Sequence, residues 1–151
     1  MAQHSVAPSD FQAAATGEGA QSRVITAAAI DSTGNVFYLS YGWQGDTTTM
    51  YEASVVTATV ETAVTAATNL AGEGYIITAV GNDYSNTDTV ILVGTRVQDD
   101  SMPRPNYVVS WGSGQSGGVS FSGLEQGGYA PILLLQSFNG TQYSASLWGE
   151  R

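Results

Sequence analysis

The sequence predicts an α+β fold, mostly strand with three short helices, arranged as three tandem β-α-β-β repeats that share one core. Three observations carry that expectation. A glycine turn followed by an apolar run occurs three times. The copies are Gly17-Glu18-Gly19 with Arg23-Val24-Ile25-Thr26-Ala27, then Gly72-Glu73-Gly74-Tyr75-Ile76-Ile77-Thr78-Ala79, then Gln126-Gly127-Gly128-Tyr129-Ala130-Pro131-Ile132. Each is followed by a second apolar run reaching a glycine: Leu39-Ser40-Tyr41-Gly42, Leu92-Val93-Gly94 and Leu147-Trp148-Gly149. The connecting segments also align, Gln44-Gly45-Asp46-Thr47 with Gln98-Asp99-Asp100-Ser101. The units fall at about 1–44, 47–97 and 106–151 of a single domain, 1–151. One unit alone buries too little apolar surface, and a pseudo-threefold arrangement is one way for the copies to share it.

In the first copy, Ser9-Asp10-Phe11-Gln12 has capping-box spacing and predicts a short helix ending at the glycine turn. Asp31-Ser32-Thr33-Gly34-Asn35 closes a hairpin, and alternation after it sends Phe37, Leu39 and Tyr41 to one face, Val36 and Tyr38 to the other. In the middle copy, residues 51–60 alternate as a strand. From Glu61 the period becomes helical, with Val60, Val64, Ala67 and Leu70/Ala71 on one side and Gly72 or Gly74 as the left-handed stop. Residues 76–80 and 90–93 follow as strands around a polar loop at 81–88. In the third copy, Ser122-Gly123-Leu124-Glu125 again has capping-box spacing and Asn139-Gly140 suits a type I′ turn. Residues 112–118 are glycine-rich, and Pro103-Arg104-Pro105 is an extended linker.

Composition narrows the chemistry. Thirteen carboxylates face four arginines, with no lysine, for a formal charge of −9. Nucleic acid and anionic lipid bind through Lys/Arg that displace counterions, so neither is an expected partner. The absence of cysteine removes disulfides, thiolate nucleophiles and zinc ribbons. No apolar run approaches a membrane span and no signal peptide is visible, which leaves cytoplasm or, if Met1 replaces a removed leader, an extracellular site.

The middle copy, Tyr51-Glu52-Ala53-Ser54-Val55-Val56 with Leu70-Ala71-Gly72-Glu73-Gly74-Tyr75 and Ile91-Leu92-Val93-Gly94-Thr95-Arg96, resembles a family of small bacterial strand-helix-strand-strand domains of unknown function. The resemblance implies a fold and carries no activity.

Few residues offer chemistry. His4, the one histidine, is expected in a mobile N-terminal segment, so Ser-His-Asp machinery has no positioned base. Glu18 and Glu73, at equivalent positions in two copies, are the best pair for a carboxylate-based hydrolase, but read first as solvated turn residues. Asp83, Asn86 and Asp88 offer alternate oxygens for calcium; an ordinary Asx-rich hairpin loop explains them better. Trp43, Tyr107, Trp111 and Trp148 are the candidate ligand-binding aromatics, set against a simpler role as core volume. No cofactor is expected. Strand runs 90–93 and 132–135 look buried on both faces and need a second cover, either helices or another subunit. The sequence therefore favours a non-enzymatic structural or interaction module that self-associates, with a glycan or small-molecule binding domain as the competing reading.

Overall fold

A computed structural model describes residues 1–42, 45, 47–86, 88–104, 106–111, 130–138 and 143–150, the last three stretches as backbone pairing alone. The chain opens with β1 (Ala2–Val6), a 3-10 turn at Pro8–Asp10 and α1 (Phe11–Ala20). The hairpin β2 (Arg23–Ile30) and β3 (Val36–Gly42) follows. A second group repeats this order with β4 (Tyr51–Thr59), α2 (Ala63–Gly72), β5 (Ile76–Asn82) and β6 (Thr89–Val97). Strands β7 (Asn106–Trp111), β8 (Ala130–Phe138) and β9 (Tyr143–Glu150) come last.

The ladders of the described strands are antiparallel, in the orders β1-β3-β2, β4-β6-β5 and β7-β9-β8, with one isolated parallel bridge, Ile30 to Asp83. The first two sheets share a register irregularity on the strand that follows the helix, after Ile25 in β2 and after Ile77 in β5. Ile25 pairs with Ser40, and Ile77 with Gly94. By register, then, Ser40 corresponds to Gly94, Tyr38 to Leu92 and His4 to Val56.

The expectation of three tandem β-α-β-β repeats with three helices around one core is corrected. Two helices, α1 and α2, occur among the described residues, and no third accompanies β7, β8 and β9 there. The segment expected to supply it, at 122–125, lies outside the described residues, as do 112–118 and Asn139-Gly140. The described buried side chains also form two clusters. One joins Phe11 and Ala15 of α1 to Ile25, Ala28, Val36 and Tyr38 of the first sheet and to Ile91 and Val93 of β6. The other joins Ala63, Ala67 and Leu70 of α2 to Ile77, Val80, Val90 and Leu92. β6 explains the division. Successive side chains on a strand point to opposite faces, so Val90 and Leu92 meet α2 while Ile91 and Val93 meet the first sheet and α1. The second cover for run 90–93 thus comes from within the chain. The side chains of run 132–135 lie outside the described residues.

The first two sheets meet along β2 and β5. A Cβ on Gly81 would lie 1.7 Å from the Ala28 carbonyl oxygen, so only glycine allows this approach. Tyr84 N–H then donates to Ile30 O at 3.0 Å.

Helix α1 lies between the sheets. Phe11, Ala15, Glu18 and Gly19 are buried, while Gln12, Thr16 and Ala20 form the adjoining stripe, spaced by four along the helix. Gln12 does not close the expected capping box, and no side chain caps this helix. Its Nε2 instead donates to Ala53 O at 2.9 Å, and its Oε1 accepts from Val55 N–H at 2.8 Å. The side-chain amide so occupies the edge of β4 as a neighbouring strand would.

The glycine stop expected at Gly17-Glu18-Gly19 is also corrected. Both glycines are helical, and the left-handed residue is Ser22, at φ 57°. In the second group Gly74 takes that role, with φ 91°, as expected. A Cβ on Gly19 would stand 2.3 Å from Tyr51 O, so close seating of α1 on β4 outweighs the low helix propensity of glycine.

Candidate functional site

Two places combine chemistry with geometry. The first is a polar network inside the first group. His4 is not in a mobile tail; it sits on β1, opposite Tyr38 of β3, and its ring stacks on Tyr38 at 4.9 Å between centroids. Its Nε2 lies 3.3 Å from Glu18 Oε1, without the alignment of a hydrogen bond. Glu18 is not a solvated turn residue: it is 8% exposed, and Arg23 Nε donates to its Oε2 at 2.8 Å. Arg23 also donates to Ser40 Oγ and to Ser40 O, while the Tyr38 hydroxyl reaches Glu18 Oε1 at 3.5 Å.

Burial alone would raise the Glu18 pKa. Hydrogen bonds from Ser40 and Arg23, with the charges of His4 and Arg23, outweigh it and hold the carboxyl below its ordinary value. The same carboxylate acts on Tyr38, whose phenol is raised by burial and then by Glu18. Ser40 and Tyr38 are both buried, with their hydroxyls engaged in the network. The arrangement ties β1, α1, β2 and β3 together. Glu73, expected to be the symmetric partner of Glu18, stands instead at the end of α2, and its carbonyl accepts from Arg96. By register Glu18 corresponds to Leu70, so the two glutamates do not form a pair.

The second place lies where α1 meets the start of β4. A cleft of about 330 Å³ opens there between Thr16 and Ala20 on one side and Tyr51, Glu52, Tyr75 and Gln98 on the other. Across Tyr51 lies a smaller, apolar hollow of about 150 Å³ walled by Val24, Ile76 and Val97. One ion pair stiffens the wall. Arg96 Nε donates to Glu52 Oε2 at 2.7 Å, Nη2 lies 2.6 Å from the same oxygen as an ion pair, and Nη1 donates to Glu73 O at 2.6 Å. The guanidinium also stacks over the Tyr75 ring, 4.5 Å from its centroid. These contacts, led by the Glu52 hydrogen bond, raise the Arg96 pKa, so the guanidinium keeps its charge there.

The residues around both hollows belong to one end of the two sheets, where β2, β4 and β5 begin and β3 and β6 finish. Tyr41, Met50, Ile76 and Val97 are all more than 40% exposed there. Val24 pairs with Tyr41 and Tyr51 with Val97, which makes the surface continuous.

Of the residues singled out from sequence, Trp43 lies outside the described residues. Tyr107 and Trp111 are on β7 and Trp148 on β9, with their side chains outside the described residues. Asp83 and Asn86 serve the loop itself: Asp83 Oδ1 accepts from Ser85 N–H, and Asn86 Oδ1 from Asp88 N–H. Among the described residues no three His, Asp or Glu side chains gather as a metal site, and no helix is long and apolar enough to cross a membrane. Sequence reasoning missed Tyr51, Tyr75 and Gln98. The alternation of β4 was visible, but nothing in it says that α1, some thirty residues earlier, forms the opposite wall.

Compared with protein-family models, curated proteins and solved structures, the chain matches none of them.

Proposed function

We propose that this chain is a non-enzymatic interaction module that self-associates through the exposed strand ends around Ile76 and Val97. The observation that carries the reading is the apolar surface formed by Val24, Tyr41, Met50, Tyr51, Ile76 and Val97. Contiguous apolar surface of this kind marks interaction sites on soluble proteins. A second copy is the occupant that fits. The chain carries −9, so two copies repel except where they meet over uncharged side chains, and the Arg96–Glu52 pair beside the patch is already neutralised. The buried run 90–93 lends no support, since its own chain covers it.

Sedimentation velocity over a micromolar to submillimolar range tests the proposal. The wild-type chain is expected to shift to a discrete oligomer as concentration rises. The double variant Ile76→Asp, Val97→Asp should stay monomeric with its circular dichroism unchanged, because both side chains are already about half exposed. A wild-type chain that stays monomeric throughout, or a double variant that assembles equally well, overturns it.

A further inference from the structure

The geometry points to a second property, one open to the unassembled chain: the cleft between α1 and β4 binds a neutral, polyhydroxylated small molecule of mono- to disaccharide size. Its volume of about 330 Å³ falls in the range of small-ligand sites, at the low end. Such sites combine apolar and aromatic walls with a few directed polar groups. Here Ala20 and Ala53 give the cleft small side chains, and Tyr51 and Tyr75 give it aromatic rings. The cleft persists because Gly19 lets the helix backbone touch Tyr51 while the neighbouring Ala20 fills little space.

The polar groups select the ligand class. Both Arg96 contacts to Glu52, a hydrogen bond and an ion-pair approach, fall on Oε2, leaving Oε1 as an acceptor for ligand hydroxyls. Gln98, exposed on the rim, offers both a donor and an acceptor. Among the described residues lining the cleft, Glu52 alone is charged, and Arg96 pairs with it from beside the cleft, so little net charge is left to hold an ionic ligand, and the −9 chain repels anions. Hydroxyls that both donate and accept, carried on a compact ring with apolar C–H faces, match this combination.

The test is a heteronuclear NMR titration of the full chain with glucose, galactose, N-acetylglucosamine, maltose and cellobiose, and with glucuronate as the charged counterpart. At least one neutral saccharide should move the amides of Thr16, Tyr51, Glu52 and Gln98 saturably, while glucuronate leaves them in place. Ala20→Trp, which fills the cleft from an exposed helix end, should abolish the shifts. Gln98→Ala should weaken binding about three- to tenfold. The assembly-blocking Ile76→Asp, Val97→Asp variant, whose changes lie outside the cleft lining, should bind at least as well as wild type does, which separates failure here from failure of the assembly proposal. Absence of saturable shifts with every neutral saccharide, equal binding of glucuronate, or unaltered binding by Ala20→Trp overturns the inference.

Discussion

Two glycines show how differently one residue type acts in this chain. At Gly81 a Cβ would lie 1.7 Å from Ala28 O and 3.1 Å from the Ala29 Cα, so the backbones of β5 and β2 would have to part. At Gly17, inside α1, a Cβ meets nothing within 4 Å. Gly81→Ala should therefore cost about 3 kcal/mol or more, as overpacking against immovable backbone does. Gly17→Ala should stabilise by about 0.5–1 kcal/mol through helix propensity alone. Urea unfolding of the two variants checks both signs, and a mild effect at Gly81 would mean that the sheets do not meet as described. Neither value is legible in the sequence, where Gly17 sits in a conspicuous Gly-Glu-Gly string and Gly81 opens a polar loop. Local conformation was legible where the cause is local. Asp31 was expected to close a hairpin, and its Oδ1 accepts from Thr33 N–H and Asn35 N–H, with Gly34 at φ 82°.

At the scale of elements, the two helix–sheet groups solve one packing problem in two ways. Where the first group places His4, Glu18, Arg23, Tyr38 and Ser40, the second places Val56, Leu70, Tyr75, Leu92 and Gly94. The second set packs as an apolar cluster, with Gly94 leaving room for Tyr75 and Leu70. The fold itself thus has no need of the charges. Transplanting all five residues into the first group should leave stability at neutral pH unchanged or raise it by about 1–4 kcal/mol, as replacing buried ion pairs with packed apolar groups does. Glu18→Leu alone should cost about 2–4 kcal/mol, since Arg23, largely shielded from water, keeps its Ser40 contacts but loses its counter-charge. Acid separates the two designs further. The folded chain holds Glu18 below its ordinary pKa of 4.5, so the unfolded chain takes up the proton first as pH falls. The stability Glu18 contributes is complete above about pH 4.5 and is lost as pH drops through the lower folded value. The transplant lacks that loss, and denaturant midpoints from pH 6 down to 3 should show its advantage widening; parallel curves would refute the assignment. Sequence reasoning found the elements of the middle group, including a strand at 51–60 seen as Tyr51–Thr59, because periodicity and turn residues act over a few positions. It missed the network because His4 and Glu18 meet only through β1–β3 pairing and the seating of α1, contacts that no local pattern encodes. Gln12 was missed for the same reason: its spacing from Ser9 suggested a local cap, while its partners, Ala53 and Val55, lie more than forty residues away.

At the scale of the molecule, charge and apolar surface oppose each other. Thirteen carboxylates against four arginines repel any second copy, while the strand-end patch around Ile76 and Val97 attracts it. The balance depends on ionic strength in a definite direction. Salt shortens the reach of the repulsion, from roughly 30 Å at 0.01 M to roughly 8 Å at 0.15 M, and leaves apolar contact almost untouched. Assembly through the patch should therefore tighten as sodium chloride rises from low to physiological concentration. An interface built on ion pairs between copies would loosen instead. Sedimentation equilibrium at several salt concentrations reads the sign directly, and the Ile76→Asp, Val97→Asp variant controls for association elsewhere on the surface. Acid should act like salt at first, because protonating exposed carboxylates lowers the repulsion. Below about pH 4.5 the loss of the Glu18 contribution weakens the first group, and further acid should then favour unfolding over assembly. Association should accordingly strengthen from pH 7 to about 4.5 and fail as the pH drops through the lower folded value of Glu18 in the wild-type chain, while the five-residue transplant, which has no Glu18 to lose, should keep assembling at lower pH. Failure of both proteins at the same pH would show that the patch, and not the fold beneath it, sets the acid limit.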